Sequence, residues 1–428
     1  MNCREHLNLL KQGMGIMDRR SLLLGGTAAL AAGNLPAFSQ DAEVRIGFTY
    51  PLSGSGAQIG VDAQKAFDTA AEIVNNNYDF DLPLARGVGL PGLGGAKLRL
   101  IFADHQSDPQ KGRAEAERLI TQEKVCAIIG SYQSAVAVTV SQTCERYQIP
   151  FVSAENSSPS LHRRGLKYYF RPAPHDEMYS AAMFDFFDAM KKKGTRIETL
   201  SLFHEDTIFG TDSGNTQAKL AAERGYKIVA DIKYRANSPS LSTEVQQLKA
   251  ANADVLMPSS YTTDGILLIR TMAELGYKAN AIVAQDAGFS DQPLYDAVGD
   301  KLNGAISRST FSLDLASKRP MVGTINAMFR EKSGKDLNDL TSREVMALLV
   351  LADAINRAKS TDGPKIRDAM SATDIPGEQT IMPWRRIKFD ENGQNNDADP
   401  VLLQYIGGKF VTIFPPQAAI AEAAWPMK

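Results

Sequence analysis

The chain has 428 residues, 43% of them hydrophobic, with 47 basic and 49 acidic side chains and a formal charge of −2. That length accommodates two domains with full cores, and the even charge balance argues against nucleic acid or an anionic membrane surface as partner. Three cysteines are too few for a disulfide scaffold.

Near the N-terminus, Asp18-Arg19-Arg20-Ser21-Leu22-Leu23 reads as a twin-arginine export signal. The apolar stretch 22–32 behind it, interrupted by Gly25 and Gly26, is too short to span a bilayer. Ala37 and Ser39 stand at −3 and −1 of a cleavage before Gln40, so residues 1–39 are expected to be removed, with Met17 the more natural start. A buried N-terminal helix is the alternative. No Cys follows the apolar run, so a lipid anchor is not indicated there. Loss of Arg4, Glu5, Lys11, Asp18, Arg19 and Arg20 takes the formal charge to −4. The mature chain is expected to be soluble and exported.

From residue 44 onward, short apolar runs alternate with helical patterns. Strands are expected at 44–49, 97–103, 125–130, 151–153, 199–204, 227–232, 255–258 and 281–285. Helices are expected at 59–76, 109–122, 135–147, 177–192, 214–223 and 265–275. Asp108-Pro109 and Ser158-Pro159 each have the composition of a helix N-cap and first turn. Residues 75–95, rich in Gly and Pro, read as a long surface loop. Later helices are expected at 320–332, 342–359 and 364–371, and late strands at 386–389, 401–406 and 410–414.

Alternation of this kind builds parallel sheets from βαβ units. One sheet would be too wide, so the expected fold is α/β with two doubly wound parallel-sheet lobes, joined by three crossover segments, and a ligand cleft between them. Lobe 1 is expected to comprise 41–170 and 310–384, and lobe 2 171–309 and 385–428. The crossovers fall near 168–172, 306–312 and 383–386. Cys126 and Cys144 lie at the same end of one βα unit. A bridge is conceivable, but a strand and its covering helix usually stand too far apart, and two buried thiols are the favoured reading.

The search for catalytic chemistry yields little. Gly54-x-Gly56-x-x-x-Gly60 nearly matches a dinucleotide fingerprint, but its spacing is one residue too long and the following acidic residue comes too late. A turn requiring small residues is the plainer reading. His105, His162, His175 and His204 have no ligand spacing and read as surface or hinge residues. His204-Glu205-Asp206 is either a pocket rim or, as favoured, a loop cap. No metal, no cofactor and no enzymatic activity are expected.

The informative positions are strand ends. Residues 128–134 (IIGSYQS) and 151–159 (FVSAENSSP) each run from a strand into a helix start. Free N–H groups there, with the Ser134 and Ser157 hydroxyls, suit a small carboxylate, although either serine alone could be a plain N-cap.

Residues 44–60, VRIGFTYPLSGSGAQIG, resemble the opening of the periplasmic leucine/isoleucine/valine-binding protein family, the substrate-binding components of ABC importers. The stretch STEVQQLKAANADVL, 242–256, resembles the family's helix and strand in the second lobe, and the resemblance spans nearly all of the mature chain. It implies that Ser134 and Ser157 hold the ligand's carboxylate and ammonium, with backbone groups of Glu155 and Asn156. It also implies that Phe209 and Tyr261 seal the cleft and that Asp286 pairs with the ammonium, with Asp where Glu is common. Tyr132 is a further candidate for the pocket wall. Each aromatic could equally be ordinary core. Glu155 facing the cleft would favour a cationic or amide-bearing ligand; facing solvent, it would leave room for an aliphatic one.

The expected function is thus capture of a small amino acid in the periplasm and delivery to a membrane permease driven by a cytoplasmic ATPase. A monomer without direct membrane anchor is expected. The alternatives are an aromatic carboxylate or urea-like amide as ligand, or a ligand-sensing subunit.

Overall fold

The computed structural model describes residues 42–285 and 287–427. The expected leader and its cleavage point lie outside them, as does Asp286. Among the described residues no helix is long and apolar enough to cross a membrane.

The first lobe starts with β1 (Glu43–Tyr50), followed by α1 (Ala57–Asn75), β2 (Lys97–Asp104), α2 (Pro109–Thr121), β3 (Ala127–Gly130), α3 (Ser134–Arg146), β4 (Phe151–Ser153) and β5 (Tyr169–Phe170). The strands are parallel in the order β2-β1-β3-β4-β5. The winding reverses between β1 and β3, which makes their C-terminal ends the switch point where such sheets hold ligands. Asp108 caps α2 as its sequence predicts, accepting from Gln110 N and Lys111 N at 2.8 Å each. The loop after α1 is less superficial than its composition implies. Leu82, Ala85, Leu90 and Leu93 are buried and join the first core.

The second lobe contains α4 (Asp176–Lys192), β6 (Thr199–Glu205), α5 (Ile208–Arg224), β7 (Lys227–Tyr234), α6 (Ser242–Ala251), β8 (Val255–Ser259), α7 (Thr262–Glu274), β9 (Val283–Ala284), α8 (Gln292–Val298) and β10 (Ile306–Ser309). Strands β7-β6-β8 are parallel, and a bridge from Leu256 to Ile282 leads to β9 and β10, also parallel. Residues 306–309 are therefore a strand of the second sheet, and the second passage between lobes is confined to the residues just after it.

The chain then returns to the first sheet as α9 (Pro320–Ser333), α10 (Asp339–Ala358) and α11 (Gly363–Ser371). Helix α10 is buried on nearly every face, because it packs against α1, α11 and the first sheet, and its apolar side chains belong to the first core. A two-stranded ladder of β11 (Asp374–Pro376) and β12 (Arg386–Lys388) follows. Ile387, Phe389 and Ala398 still pack into the first core. The last passage thus comes after Ala398, later than 383–386, because apolar side chains keep the ladder on lobe 1.

The second sheet is completed by β13 (Val401–Ile406) and β14 (Lys409–Phe414), both antiparallel to their neighbours. This edge departs from the expected all-parallel sheet. The strands are joined by Gly407-Gly408, both at positive φ (56° and 83°), and so short a turn can only reverse the chain.

Candidate functional site

The lobe 1 wall is two loops locked to each other by side-chain hydrogen bonds. After β3, Ser131 N donates to Asn156 Oδ1 at 3.0 Å, while Asn156 Nδ2 donates to Tyr132 O at 2.8 Å. Tyr132 occupies the left-handed region, φ 66°, a conformation that costs a non-glycine residue free energy and persists only where neighbours impose it. Ser134 is the first residue of α3 and is buried. The second loop, 155–158, is held by two arginines. Arg343 Nη1 donates to Glu155 O at 3.2 Å, and Arg171 Nη1 donates to both Asn156 O and Ser158 O at 2.9 Å. Arg171 lies on the first passage between lobes and also reaches Gln394 Oε1 at 2.6 Å through Nε. The Ser158 hydroxyl does not cap its own helical turn; it hydrogen-bonds Asp212 of α5, across the cleft.

The lobe 2 wall is presented by helix starts. Glu205 caps α5, accepting from Thr207 N at 2.6 Å and Gly210 N at 2.9 Å. This settles the His204-Glu205-Asp206 cluster as a cap and sets Phe209 facing the cleft. Tyr261 directly precedes α7. Its ring centroid lies 5.3 Å from that of Tyr132 and 5.1 Å from that of Phe209, distances typical of favourable aromatic pairs.

These walls enclose a chamber of only about 10 Å³, lined by Tyr132, Ser134, Glu155, Ser157, Phe209, Tyr261 and Arg308, roughly the space of one water. Outside the aromatic rings lies a groove of about 230 Å³ between Gly56, Ile59, Ser107 and Gln133 of lobe 1 and Thr207, Asn237, Thr262 and Thr263 of lobe 2. Tyr132 and Tyr261 border both spaces.

Arg308 was not foreseen. It sits in β10, buried, donating through Nε to Gln285 O at 2.7 Å and through Nη1 to Asp339 Oδ2 at 2.9 Å, with its guanidinium 4.0 Å from the Tyr179 ring centroid. Asp339, at the start of α10, also takes Arg343 Nη2 at 2.6 Å and Thr310 N at 2.6 Å. Burial raises and the two guanidiniums lower its carboxyl, and the net shift is downward. Little in the sequence marks Arg308: residues 305–309 read Ala-Ile-Ser-Arg-Ser, with only two apolar side chains. Reading that run as a crossover hid it.

Glu155 faces the chamber. Its Oε1 accepts from Tyr50 OH at 2.7 Å, and its carboxyl is hydrogen-bonded to that of Glu344 on α10. Two carboxyls form such a bond only with a proton between them, and burial raises both. Asp176, fully buried at the start of α4, accepts from Gln285 Nε2 at 3.1 Å, and its backbone N–H donates to Ser157 O at 2.9 Å; burial pushes its carboxyl up to about 6.

Six predicted residues therefore meet at one chamber. The Asn156 side chain braces the Ser131–Tyr132 turn, and its backbone carbonyl accepts from Arg171. Asp286 lies outside the described residues, directly after Gln285. The four histidines are all buried, so none is a surface residue. His105 Nε2 faces Ser131 O at 3.0 Å and its Nδ1 accepts from Ser107 N at 3.0 Å, a structural role. Cys126 and Cys144 are buried free thiols. Gly60 lies on α1, where a Cβ would stand 2.2 Å from Pro51 O, so the near-fingerprint is a close-approach turn. No cluster of His, Cys, Asp or Glu suited to a metal ion occurs among the described residues.

Two α/β lobes closing on a cleft at the C-terminal ends of their strands define the type I periplasmic binding class. The family model described as "Periplasmic binding protein" matches residues 43–409, and the chain belongs to this family. It is 30% identical over 414 residues to a Leu/Ile/Val-binding protein homolog 7 of Brucella abortus (strain 2308), covering 95% of this chain and 99% of that one. In fold it is similar to a leucine binding protein, LivK, of Thermotoga maritima (TM-score 0.74, 23% identity, 87% and 99% of the two chains). It is likewise similar to a solute binding protein of an ABC transporter from Rhodopseudomonas palustris BisB5, in complex with 3,4-dihydroxy benzoic acid (TM-score 0.72, 18% identity, 90% and 98%).

Proposed function

We propose that this protein is the extracytoplasmic solute-binding component of an ABC importer, capturing a small amino acid between its lobes and delivering it to a membrane permease and its ATPase. The observation that carries this reading is the convergence of Ser134, Ser157 and Glu155 from one lobe with Phe209, Tyr261 and Arg308 from the other on one chamber. Ser134 and the start of α3 suit a carboxylate. The Ser157 hydroxyl offers its lone pairs to an ammonium, and Asp286 adds a counter-charge. The chamber is too small to admit a solute without separation of the lobes, so binding proceeds by hinge opening and closure. Residues 1–39 act as the export leader, the lobes divide near residues 170, 310 and 400, and the protein works as a monomer.

A carboxylate without an amine is the second reading, favoured by Arg308, a fixed cation on the chamber wall. A thermal-shift screen of the amino acids and small aromatic acids separates the two, since a ligand of the folded state raises its melting temperature. Stabilisation by aromatic acids and by no amino acid would overturn the first reading.

A further inference from the structure

The chamber places an acid and a base on opposite lobes, Glu155 and Arg308, both buried. Arg308 has Nε and Nη1 engaged, and its Nη2 has no partner among the described residues. Glu155 Oε1 has Tyr50, while Oε2 receives no N–H or O–H from any described group except through the proton shared with Glu344. A buried acceptor and a buried donor facing one small space match a ligand carrying one charge of each sign. Beyond the rings, every side chain lining the outer groove is uncharged. A charged group placed there would lose water without gaining a counter-ion.

We propose that Glu155 and Arg308 form a cross-cleft charge pair that reads the zwitterionic head of an α-amino acid, Arg308 on the carboxylate and Glu155 on the ammonium, and that the ligand's side chain is uncharged and lies in the outer groove. This rests on the amino-acid reading of the cleft and adds to it a second acidic partner besides Asp286. Closure then depends on the head group, because the two charges belong to different lobes.

The charged and titratable groups around Glu155 are Tyr50 of β1, Glu344 and Arg343 of α10, and, acting on Glu344, Asp62 of α1. Asp176 adjoins the loop of Ser157, its backbone N–H donating to Ser157 O at 2.9 Å. Because burial holds Glu155 above the ordinary carboxylate range, it is ionised increasingly as pH rises. The ligand's own amine stays protonated through neutrality, so affinity should rise from acid to neutral pH.

The test is calorimetric titration of L-leucine, L-glutamine, L-lysine and L-glutamate, from acid to slightly alkaline pH, into wild type, Glu155→Gln and Arg308→Lys. The unliganded melting temperature serves as the folding control. Leucine or glutamine should bind more tightly than lysine and glutamate. Glu155→Gln should weaken that binding about 10- to 100-fold, as for loss of a charged hydrogen bond, and flatten its pH profile. Arg308→Lys, which keeps charge but loses the planar fork, should weaken it while leaving the profile unchanged. The proposal is overturned if Glu155→Gln binds as wild type or keeps the wild-type profile, if Arg308→Lys binds as wild type, or if lysine or glutamate is preferred. Should Glu155→Gln not fold, a flat wild-type profile overturns it alone. Failure of the wild type to bind any of the twenty amino acids instead removes the parent reading of the cleft.

Discussion

The two walls of the cleft meet the same space with different materials. On lobe 1, two loops are tied to each other through Asn156 and to the hinge side through Arg171 and Arg343. On lobe 2, Phe209 and Tyr261 project from helix starts, and only Arg308 brings charge. The difference follows from what each wall must hold. Charged groups discriminate only when their partners are fixed before binding, since reorganising dipoles consumes the gain. Apolar rings exclude water over a range of positions and can close onto ligands of differing shape. In the proposed reading, the rigid wall and Arg308 specify the head group, and the aromatic rings act as lid.

Breaking the brace between the walls should have the largest effect. Asp339→Asn leaves Arg308 and Arg343 buried without their shared counter-ion and should cost about 3–5 kcal/mol of stability in urea unfolding; a loss under about 1 kcal/mol would show that the brace is dispensable. Next, Asp286→Ala should cost about 2–5 kcal/mol of amino-acid binding in calorimetry, as for one partner of a desolvated charge pair. Unchanged affinity would remove Asp286 from the site and leave Glu155 as the acidic partner.

The electrostatics between lobes can be sharpened at Asp291, which is buried beside Thr262 and feels Asp62 and Lys335 of the opposite lobe. Burial pushes it from 3.8 to about 7. The folded state therefore holds this proton more tightly than the unfolded state, and stability falls as pH rises from about 4 through 7. Asp291→Asn should remove that slope and gain about 2–4 kcal/mol at pH 8, read as melting temperature against pH. An unchanged slope would place the burden on another group. The smallest effect is expected at the lid: Tyr261→Ala loses two ring pairs and should weaken binding by about 1–3 kcal/mol. A larger loss would mean that the lid, too, reads the ligand's head.

Most of the elements were legible because their period is local. The runs that became β1, β2, β6 and β8 are apolar over a strand's length, and the Asp108-Pro109 signature starts α2 where it should. Ser134, Ser157, Phe209 and Tyr261 were legible because strand ends and helix starts can be placed from the same periodicity, and resemblance to a known family ranked them. Arg308, Glu344, Arg171 and Arg343 were not. Apart from the Asp339–Arg343 pair one turn apart on α10, nothing nearby in sequence names their partners: Glu344 lies 189 residues from Glu155, and Arg171 lies 223 from Gln394. The edge of the second sheet was misjudged for a similar reason. The strands 401–406 and 409–414 were recognised, but their direction depends on the Gly407-Gly408 turn and on where β10 ends.

Alone, the amino-acid order determined the alternation of strands and helices, the two-lobed α/β plan and the serines and aromatics at its strand ends, because backbone preference and apolar period act over a few residues. Only the tertiary structure decided which buried charges meet: that Arg308 and Glu155 face one chamber, that Asp339 joins two arginines, and that the Asn156 side chain braces a neighbouring loop. Those outcomes depend on desolvation and on distances between segments far apart in the chain. Both are properties of the packed interior and have no local trace in the order of residues.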